Sequence, residues 1–326
     1  MPKIDALMKM MFESDEAVAD VFNAVFGGGR RLIEPSMVRP APEHEVSLRR
    51  QDDGKWASRE RACDVVRRIQ WDDADPDRHF LLGIENQLNP HILMPWRVME
   101  MQCMEYGRQL RGAHRNFHGG HPADREEFLS EVSRDYRFGR MVTVVIHWGT
   151  GPWDAPTQFA DLLEPSPFHE LLPFEPRLEY PILIPSEIPE KIMDGMEKFL
   201  KIALQYVRAS GDRERMEDFL KAHPECQDLP REFAQGLLDL LGCMHQVDST
   251  KETVNMCKAI DDMKRESEMK GMEQGMKEGM KEGGEEMARR LVRFMREKAL
   301  PEAMLQEFLV QQNFSPEQIA KLCAAH

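Results

Sequence analysis

Residues 62–87 read ACDVVRRIQWDDADPDRHFLLGIENQ and predict two short strands joined by an acidic turn. Apolar side chains that favour β-structure occupy both arms, and the run DDADPD at residues 72–77 consists of turn-forming residues. This combination is typical of an antiparallel β-hairpin. We therefore expect the chain to be organised around a hairpin whose turn lies near Asp75.

Three polar side chains are expected to converge at the open end of this hairpin. With the turn near Asp75, paired residue numbers sum to roughly 150, so Asp64 lies opposite the segment from Glu85 to Gln87. Glu85 and Gln87 then share a face of the sheet, because side chains alternate along a strand. Two carboxylates held this way can bind a divalent cation. The alternative is that both acids are ordinary solvent-facing residues of a half-exposed sheet.

The expected donor set favours a hard cation. Mg²⁺ takes oxygen ligands and is usually bound by one or two carboxylates together with a substrate phosphate. Such a site suits phosphodiester hydrolysis, because the metal makes hydroxide available near neutral pH and stabilises charge on phosphoryl oxygens. Mg²⁺ or Mn²⁺ is therefore the expected cofactor and DNA the expected partner.

Five segments follow one another in an order that is informative as a set. They are IDALMKMMFESDEAVADVFNAVF at residues 4–26, RACDVV at 61–66, LLGIENQLNPHILMPWRVMEMQCMEYGRQL at 81–110, MVTVVIHWGTGPWDAP at 141–156, and the glycine-periodic tail KGMEQGMKEGMKEGGEE at 270–286. In this order the chain resembles the Rpn family of recombination-promoting nucleases and putative transposases, within the PD-(D/E)XK nuclease superfamily. The resemblance covers about the first 185 residues and the tail.

This resemblance implies a restriction-endonuclease-like α/β fold and a metal-dependent, transposase-like DNA endonuclease. It further implies that Asp64 and Glu85 are metal ligands and that Gln87 is a catalytic residue. Gln87 stands where the wider superfamily has its catalytic Lys, and a glutamine can orient a water but cannot supply a positive charge. Lys9 and Arg97 are the nearest candidates for a cation that contacts the substrate.

The remaining strands complete a mixed sheet flanked by helices. Residues 141–148 form a nearly continuous β-branched run that predicts a buried central strand, and residues 180–184 predict an edge strand because they contain a proline. Residues 45–50 are expected to pair with the sheet as an outer strand. An amphipathic helical pattern covers residues 3–26, and a helix is expected from Pro95 to about Leu110.

The chain divides into four segments by composition and periodicity. Residues 1–188 form the expected nuclease-like domain, and residues 189–262 show helical periodicity without recognisable chemistry. Residues 263–287 form a glycine-periodic helical linker, and residues 288–326 a small helical unit. The C-terminal half is thus expected to be α-helical.

Glycines recur every four residues in the linker, at positions 271, 275, 279 and 283, and a methionine follows each of the first three. Positions four apart form one slightly drifting stripe on a helix, so these glycines permit the close approach of a second helix. Each glycine costs about 1 kcal/mol of helix stability relative to alanine. The linker is therefore either a frayed, solvated tether or a self-association segment, and we expect a homo-oligomer formed through residues 265–290.

The composition and charge of the whole chain bear on its cellular location and on the partners it can bind. The chain has 326 residues, of which 41% are hydrophobic, and no apolar run long enough to cross a membrane, so we expect a cytoplasmic protein without a membrane partner. The net charge of −14 argues against nucleic-acid binding, although arginines cluster within the first 140 residues. A rival hypothesis is therefore a catalytically degenerate nuclease fold that acts as a self-associating protein-interaction module.

Overall fold

The structure is a computed structural model that describes residues 2–41, 47–50, 56–59, 64–75, 78–117, 122–242, 247–248, 250–298, 301–311, 314, 317 and 319. The strands are β1 (Val38–Pro40), β2 (Ser47–Arg50), β3 (Trp56–Arg59), β4 (Val65–Gln70), β5 (His79–Gln87), β6 (Met141–His147), β7 (Ile182–Leu183), β8 (Leu229–Pro230) and β9 (Thr253–Val254). The α-helices are α1 (Pro2–Met11), α2 (Asp15–Phe26), α3 (Met94–Phe117), α4 (Arg125–Ser130), α5 (Glu190–Met193), α6 (Lys198–Ala209), α7 (Arg213–Ala222), α8 (Arg231–Leu240), α9 (Met256–Glu297) and α10 (Glu302–Gln311).

The largest sheet has five strands in the order β1-β4-β5-β6-β7. The pairs β1–β4 and β4–β5 are antiparallel, whereas β5–β6 and β6–β7 are parallel, so the sheet is mixed as the sequence predicts. The hairpin is confirmed, and its register pairs Val65 with Ile84 and Gln70 with His79. The strand at residues 141–147 is confirmed as a central, largely buried strand, and β7 as an edge.

Helices pack on both faces of this sheet, because each face carries an apolar row. On one face Leu81, Val145 and Val66 pack against Val98 and Met101 of α3. On the other face the ring of Phe80 lies 5.3 Å from the ring of Phe22 on α2. The alternation of side chains along β5 therefore assigns its odd-numbered residues to the α3 face and its even-numbered residues to the α2 face.

One strand prediction is wrong. Residues 45–50 were expected to join the sheet as an outer strand, but β2, within that range, pairs with β3 in a separate two-stranded sheet. The outer strand beside β4 is instead β1. Its three residues end in a proline, and so short a segment gives no alternating pattern to detect.

The described chain divides into two compact units, Met1–Cys257 and Lys258–His326. In the first unit, α1 packs against α8, and α6 against α7. Most of the second unit is the long helix α9, which contains all four periodic glycines, followed by α10. None of the helices that the structure describes has an apolar stretch of the length and composition needed to span a bilayer.

Candidate active site

The candidate site lies at the carboxyl end of β5, on the face covered by α3. Glu85 occupies this end of the strand and is completely buried. Asp64 immediately precedes β4, and extension of the hairpin register by one residue places it opposite Glu85. The Asp64 carboxylate accepts a hydrogen bond of 2.7 Å from the backbone N–H of Asn86. This bond holds the first acid against the strand that carries the second.

Two further predicted side chains reach the Glu85 carboxylate. Arg97, on the first turn of α3, places its Nη2 atom 2.9 Å from Glu85 Oε2. The Gln87 side chain donates from Nε2 to the same oxygen at 3.5 Å, which is at the limit of a hydrogen bond. The structure therefore brings Asp64, Glu85, Gln87 and Arg97 together.

Lys9 is not part of this cluster. It is exposed on α1. A hydrogen bond to the residue that follows this helix shows which face of the sheet the helix end approaches. Arg67 of β4, whose side chain points away from the α3 face, donates to the backbone carbonyl of Phe12. Lys9 therefore belongs to the helical layer across the sheet from Glu85.

The electrostatics of Glu85 are unusual for a glutamate. Burial, and secondly the negative charge of Asp64, raise the pKa of its carboxyl to about 7, while the guanidinium of Arg97 acts in the opposite direction. Its Oε2 atom accepts from Arg97 and Gln87, but its Oε1 atom is buried and has no hydrogen-bond partner among the described residues. A buried acceptor left unpaired costs about 1–3 kcal/mol. Oε1 is therefore the oxygen of this carboxyl that the described chain leaves without a partner.

Two polar residues of β6 extend the polar row and were not predicted from the sequence. Thr143 is paired with Gly83 and His147 with Gln87, so both side chains lie on the same face as Glu85. Both are about 1% exposed, and Thr143 Oγ1 and His147 Nδ1 are buried without hydrogen-bond partners in the described part of the chain. Their only signal in the sequence was the interruption of an apolar β-branched run by a threonine and a histidine.

A cavity of about 400 Å³ opens beyond the carboxyl ends of β5 and β6. It is lined by the loop that follows each strand and by the end of α8, including Asn89, His147, Gly151 and Leu241. Ligands of α/β proteins commonly bind beyond the carboxyl ends of parallel strands. The polar row therefore ends at a space that admits a small ligand group.

The acids do not form a complete metal-binding cluster by themselves. Within the residues that the structure describes, no group of three or more His, Cys, Asp or Glu side chains is arranged to hold a metal ion. Two carboxylates supplemented by an amide oxygen, waters and a substrate phosphate form a donor set that suits Mg²⁺.

Comparison with protein-family profiles, with curated proteins and with solved structures finds no match for this chain.

Proposed function

We propose that this protein is a metal-dependent DNA endonuclease that hydrolyses phosphodiester bonds, of the recombination-promoting, transposase-like type that its sequence resembles. The observation that carries the proposal is the convergence of Asp64, Glu85, Gln87 and Arg97 at one end of the β4–β5 hairpin. The same residues stand at the motif positions of the Rpn-like segments. The restriction-endonuclease-like fold is part of the proposal, and the mixed five-stranded sheet supports it.

The residues present fit the proposed cation, Mg²⁺ or Mn²⁺. Asp64 and Glu85 would hold it, because the unpaired Oε1 atom of Glu85 is a hard oxygen donor that nothing else in the described chain satisfies. When bound, such a cation supplies hydroxide near neutral pH and neutralises charge on the phosphate. Glu85 would hold the cation as the carboxylate, so binding would favour the deprotonated form of this side chain.

The protein's own side chains would orient the substrate and the water. Arg97 supplies the positive charge that Gln87 lacks, and its planar guanidinium is suited to bidentate contact with a phosphate. It lies on the rigid first turn of α3 and is partly exposed, so it reaches a strand placed at the mouth of the site. The side-chain oxygen of Gln87 accepts a hydrogen bond from the attacking water and fixes its position.

Plasmid nicking tests the proposal. The full chain is incubated with supercoiled plasmid and MgCl2 or MnCl2, beside the near-isosteric variants Asp64→Asn and Glu85→Gln. We expect nicking by the parent and a loss of at least about 100-fold in either variant, since each removes a charged ligand. Asp73→Asn, an exposed acid in the hairpin turn, is the matched control and retains activity. Equal cutting by the parent and both site variants would contradict the assignment.

The second candidate function is a degenerate nuclease fold that acts as a protein-interaction module. It is favoured by the direct ion pair between Arg97 and Glu85, because this pair occupies a carboxylate oxygen without any metal. Calorimetric titration with Mg²⁺ or Mn²⁺ separates the two candidates. Heat that disappears in Asp64→Asn supports the nuclease, whereas no metal binding together with tight self-association supports the interaction module.

Self-association through residues 265–290 is proposed with either function. The four periodic glycines lie on one helix, α9, and a Cβ atom built at any of them meets nothing within 4 Å in the described chain. Met272 and Met276 beside them are 77% and 62% exposed. A second copy of the helix is the proposed partner, because methionine adapts well to a contact surface and glycine permits close approach.

A further inference from the structure

His147 is a buried histidine on the strand next to the acids, and the proposed chemistry has not used it. The residue is about 1% exposed, on a strand that is otherwise mostly apolar. It is paired in register with Gln87, and neighbouring strands lie about 4.8 Å apart. The two side chains leave the same face of the sheet, so they are cross-strand neighbours on that face.

The imidazole of His147 is fixed in one tautomer. Its Nε2 atom lies 3.0 Å from the backbone carbonyl oxygen of Gly151, and because a carbonyl only accepts, Nε2 carries the proton. In the neutral imidazole the remaining nitrogen, Nδ1, is then a lone-pair acceptor. It is buried and has no hydrogen-bond partner among the described residues.

The surrounding loop holds the ring in place. Trp153 contacts it edge to face, with ring centroids 5.3 Å apart. A Cβ atom at Gly149 would lie 2.6 Å from Cε1 of the imidazole and 2.3 Å from the carbonyl oxygen of Leu88, so the backbone passes the ring at a distance that only glycine allows. The Nδ1 lone pair therefore has a fixed position beside the end of β5.

Gln87, which is paired with His147 on the neighbouring strand, has a side-chain amide that donates hydrogen bonds. Its Nε2 atom donates to Glu85 Oε2 at 3.5 Å, and the same oxygen accepts a much shorter hydrogen bond of 2.9 Å from Arg97. A primary amide has two N–H groups, and this long bond uses only one of them weakly. The Gln87 amide thus donates to the Glu85 carboxylate, and the register places the imidazole of His147 on the adjacent strand as a second candidate acceptor.

We propose that His147 is a positioning residue: its Nδ1 atom accepts a hydrogen bond from the Gln87 amide when that amide does not donate to Glu85 Oε2. This contact turns the Gln87 oxygen toward the attacking water and holds it there. The role in cleavage rests on the proposed nuclease function, whereas the contact itself does not. The contact with Gly151 uses only one nitrogen of the imidazole and leaves Nδ1 without a partner among the described residues.

Two near-isosteric variants separate the nitrogens of His147. His147→Asn keeps a polar atom near the position of Nδ1 and loses the donor to Gly151, whereas His147→Gln keeps a donor near Nε2 and loses Nδ1. In plasmid nicking with MgCl2 we expect His147→Gln to lower kcat by about 10- to 100-fold with KM nearly unchanged, and His147→Asn to lower it much less. The reverse order assigns His147 to the loop alone and overturns the proposal.

Nitrogen NMR detects the hydrogen bond between Gln87 and His147 Nδ1, and the measurement requires neither a bound metal nor DNA cleavage. The full chain is labelled with ¹⁵N-histidine, and the Nδ1 resonance of His147 is assigned from its absence in His147→Gln. Glu85→Leu removes the competing acceptor, so we expect the resonance to shift as Nδ1 gains a hydrogen bond, and to return in the double variant with Gln87→Leu. Gln70→Leu, which removes a buried amide that donates to Asp72, is the matched control and does not reverse the shift.

The two experiments fail in different ways. A parent chain that nicks no DNA contradicts the nuclease proposal, and the NMR comparison still decides the contact. A resonance that is the same in the parent, Glu85→Leu and the double variant overturns the inference about His147, even if the parent cleaves DNA.

Discussion

At the scale of single residues, the buried carboxyl of Glu85 carries a cost in stability that depends on pH. The carboxyl is buried beside another acid, and its pKa of about 7 lies above the value of about 4.3 for an exposed glutamate. The folded state therefore favours the protonated form. The contribution of Glu85 to stability is fully present below about pH 4.3 and is lost as the pH rises through about 7.

Glu85→Gln is accordingly predicted to stabilise the metal-free protein at high pH. The amide resembles the protonated acid and does not ionise, so the free energy of unfolding of the variant exceeds that of the parent increasingly as the pH rises. Between pH 5 and pH 8 the gap widens by on the order of 2 kcal/mol. Urea unfolding of the parent and the variant in EDTA, at pH 5 and at pH 8, measures this difference in the free energy of unfolding.

The control for this prediction is an exposed acid. Glu164→Gln, which replaces an exposed acid on the loop after β6, is the matched control for the loss of one negative charge. A Glu85→Gln variant whose advantage does not grow with pH would show that the carboxyl is not destabilised by its burial. The same variant is expected to lose nicking activity, so stability and activity are opposed at this position.

At the scale of the elements, the hairpin was predictable because its information is local. Apolar residues flank a run of turn residues, and this pattern determines the pairing, so Asp64, Glu85 and Gln87 could be brought together from the sequence alone. The position of Arg97 near the acids was also predictable, because α3 begins a few residues after β5 and Arg97 lies on its first turn.

Features that depend on the packing of distant segments were not predictable. The face of the sheet approached by α1 decides whether Lys9 reaches the acids, and no local pattern specifies that face. The neighbour of β4 at the sheet edge is likewise chosen by tertiary contacts, because β1 and β2 are both short. His147 was missed because a histidine inside a buried strand is detectable as a partner of Gln87 only once the parallel register is known.

Helix packing in the first unit yields a prediction at this scale. Gly236 of α8 lies against α1, where an added Cβ atom would be 2.7 Å from the Cβ atom of Leu7. Gly236→Ala is expected to lower the free energy of unfolding by about 1–3 kcal/mol, because the two helices must move apart. Urea unfolding measures the change.

Gly107 of α3 provides the matched control. An added Cβ atom there would be 3.4 Å from Nη1 of Arg111, the far end of a flexible side chain, so Gly107→Ala should stabilise the helix by up to about 1 kcal/mol. Opposite signs for the two substitutions indicate that the α1–α8 contact is close-packed. Stabilisation by both would contradict the packing of Leu7 against Gly236.

At the scale of the whole molecule, the net charge of −14 constrains how DNA could be held. Phosphates are repelled by an acidic protein, so non-specific affinity must come from local groups rather than from the overall charge. In the nuclease proposal, a cation held by the two acids would offer such a local attraction, and Arg97 would add a second. Multiple copies of the chain would add further local contacts along one DNA molecule, which gives self-association a purpose in the nuclease proposal.

The glycine stripe of α9 gives the last prediction, on the oligomeric state. Gly275→Ala with Gly279→Ala should strengthen the isolated helix by about 1 kcal/mol per site, since neither added methyl group meets a neighbouring atom in the described chain. The same methyl groups would separate two helices that approach through this stripe. We therefore expect higher helicity by circular dichroism and, by analytical ultracentrifugation, a shift of the full-length protein toward the monomer.

Gly112→Ala in α3 is the matched control for this pair of substitutions, because an added Cβ atom there also meets nothing within 4 Å. It should raise helix stability without changing the sedimentation of the protein. A Gly275→Ala, Gly279→Ala variant that associates as strongly as the parent would leave the glycines as features of a solvated tether. In that outcome the exposed methionines of α9, rather than the glycines, would have to account for any association, and Met272→Glu with Met276→Glu would then be the substitutions that separate the protomers.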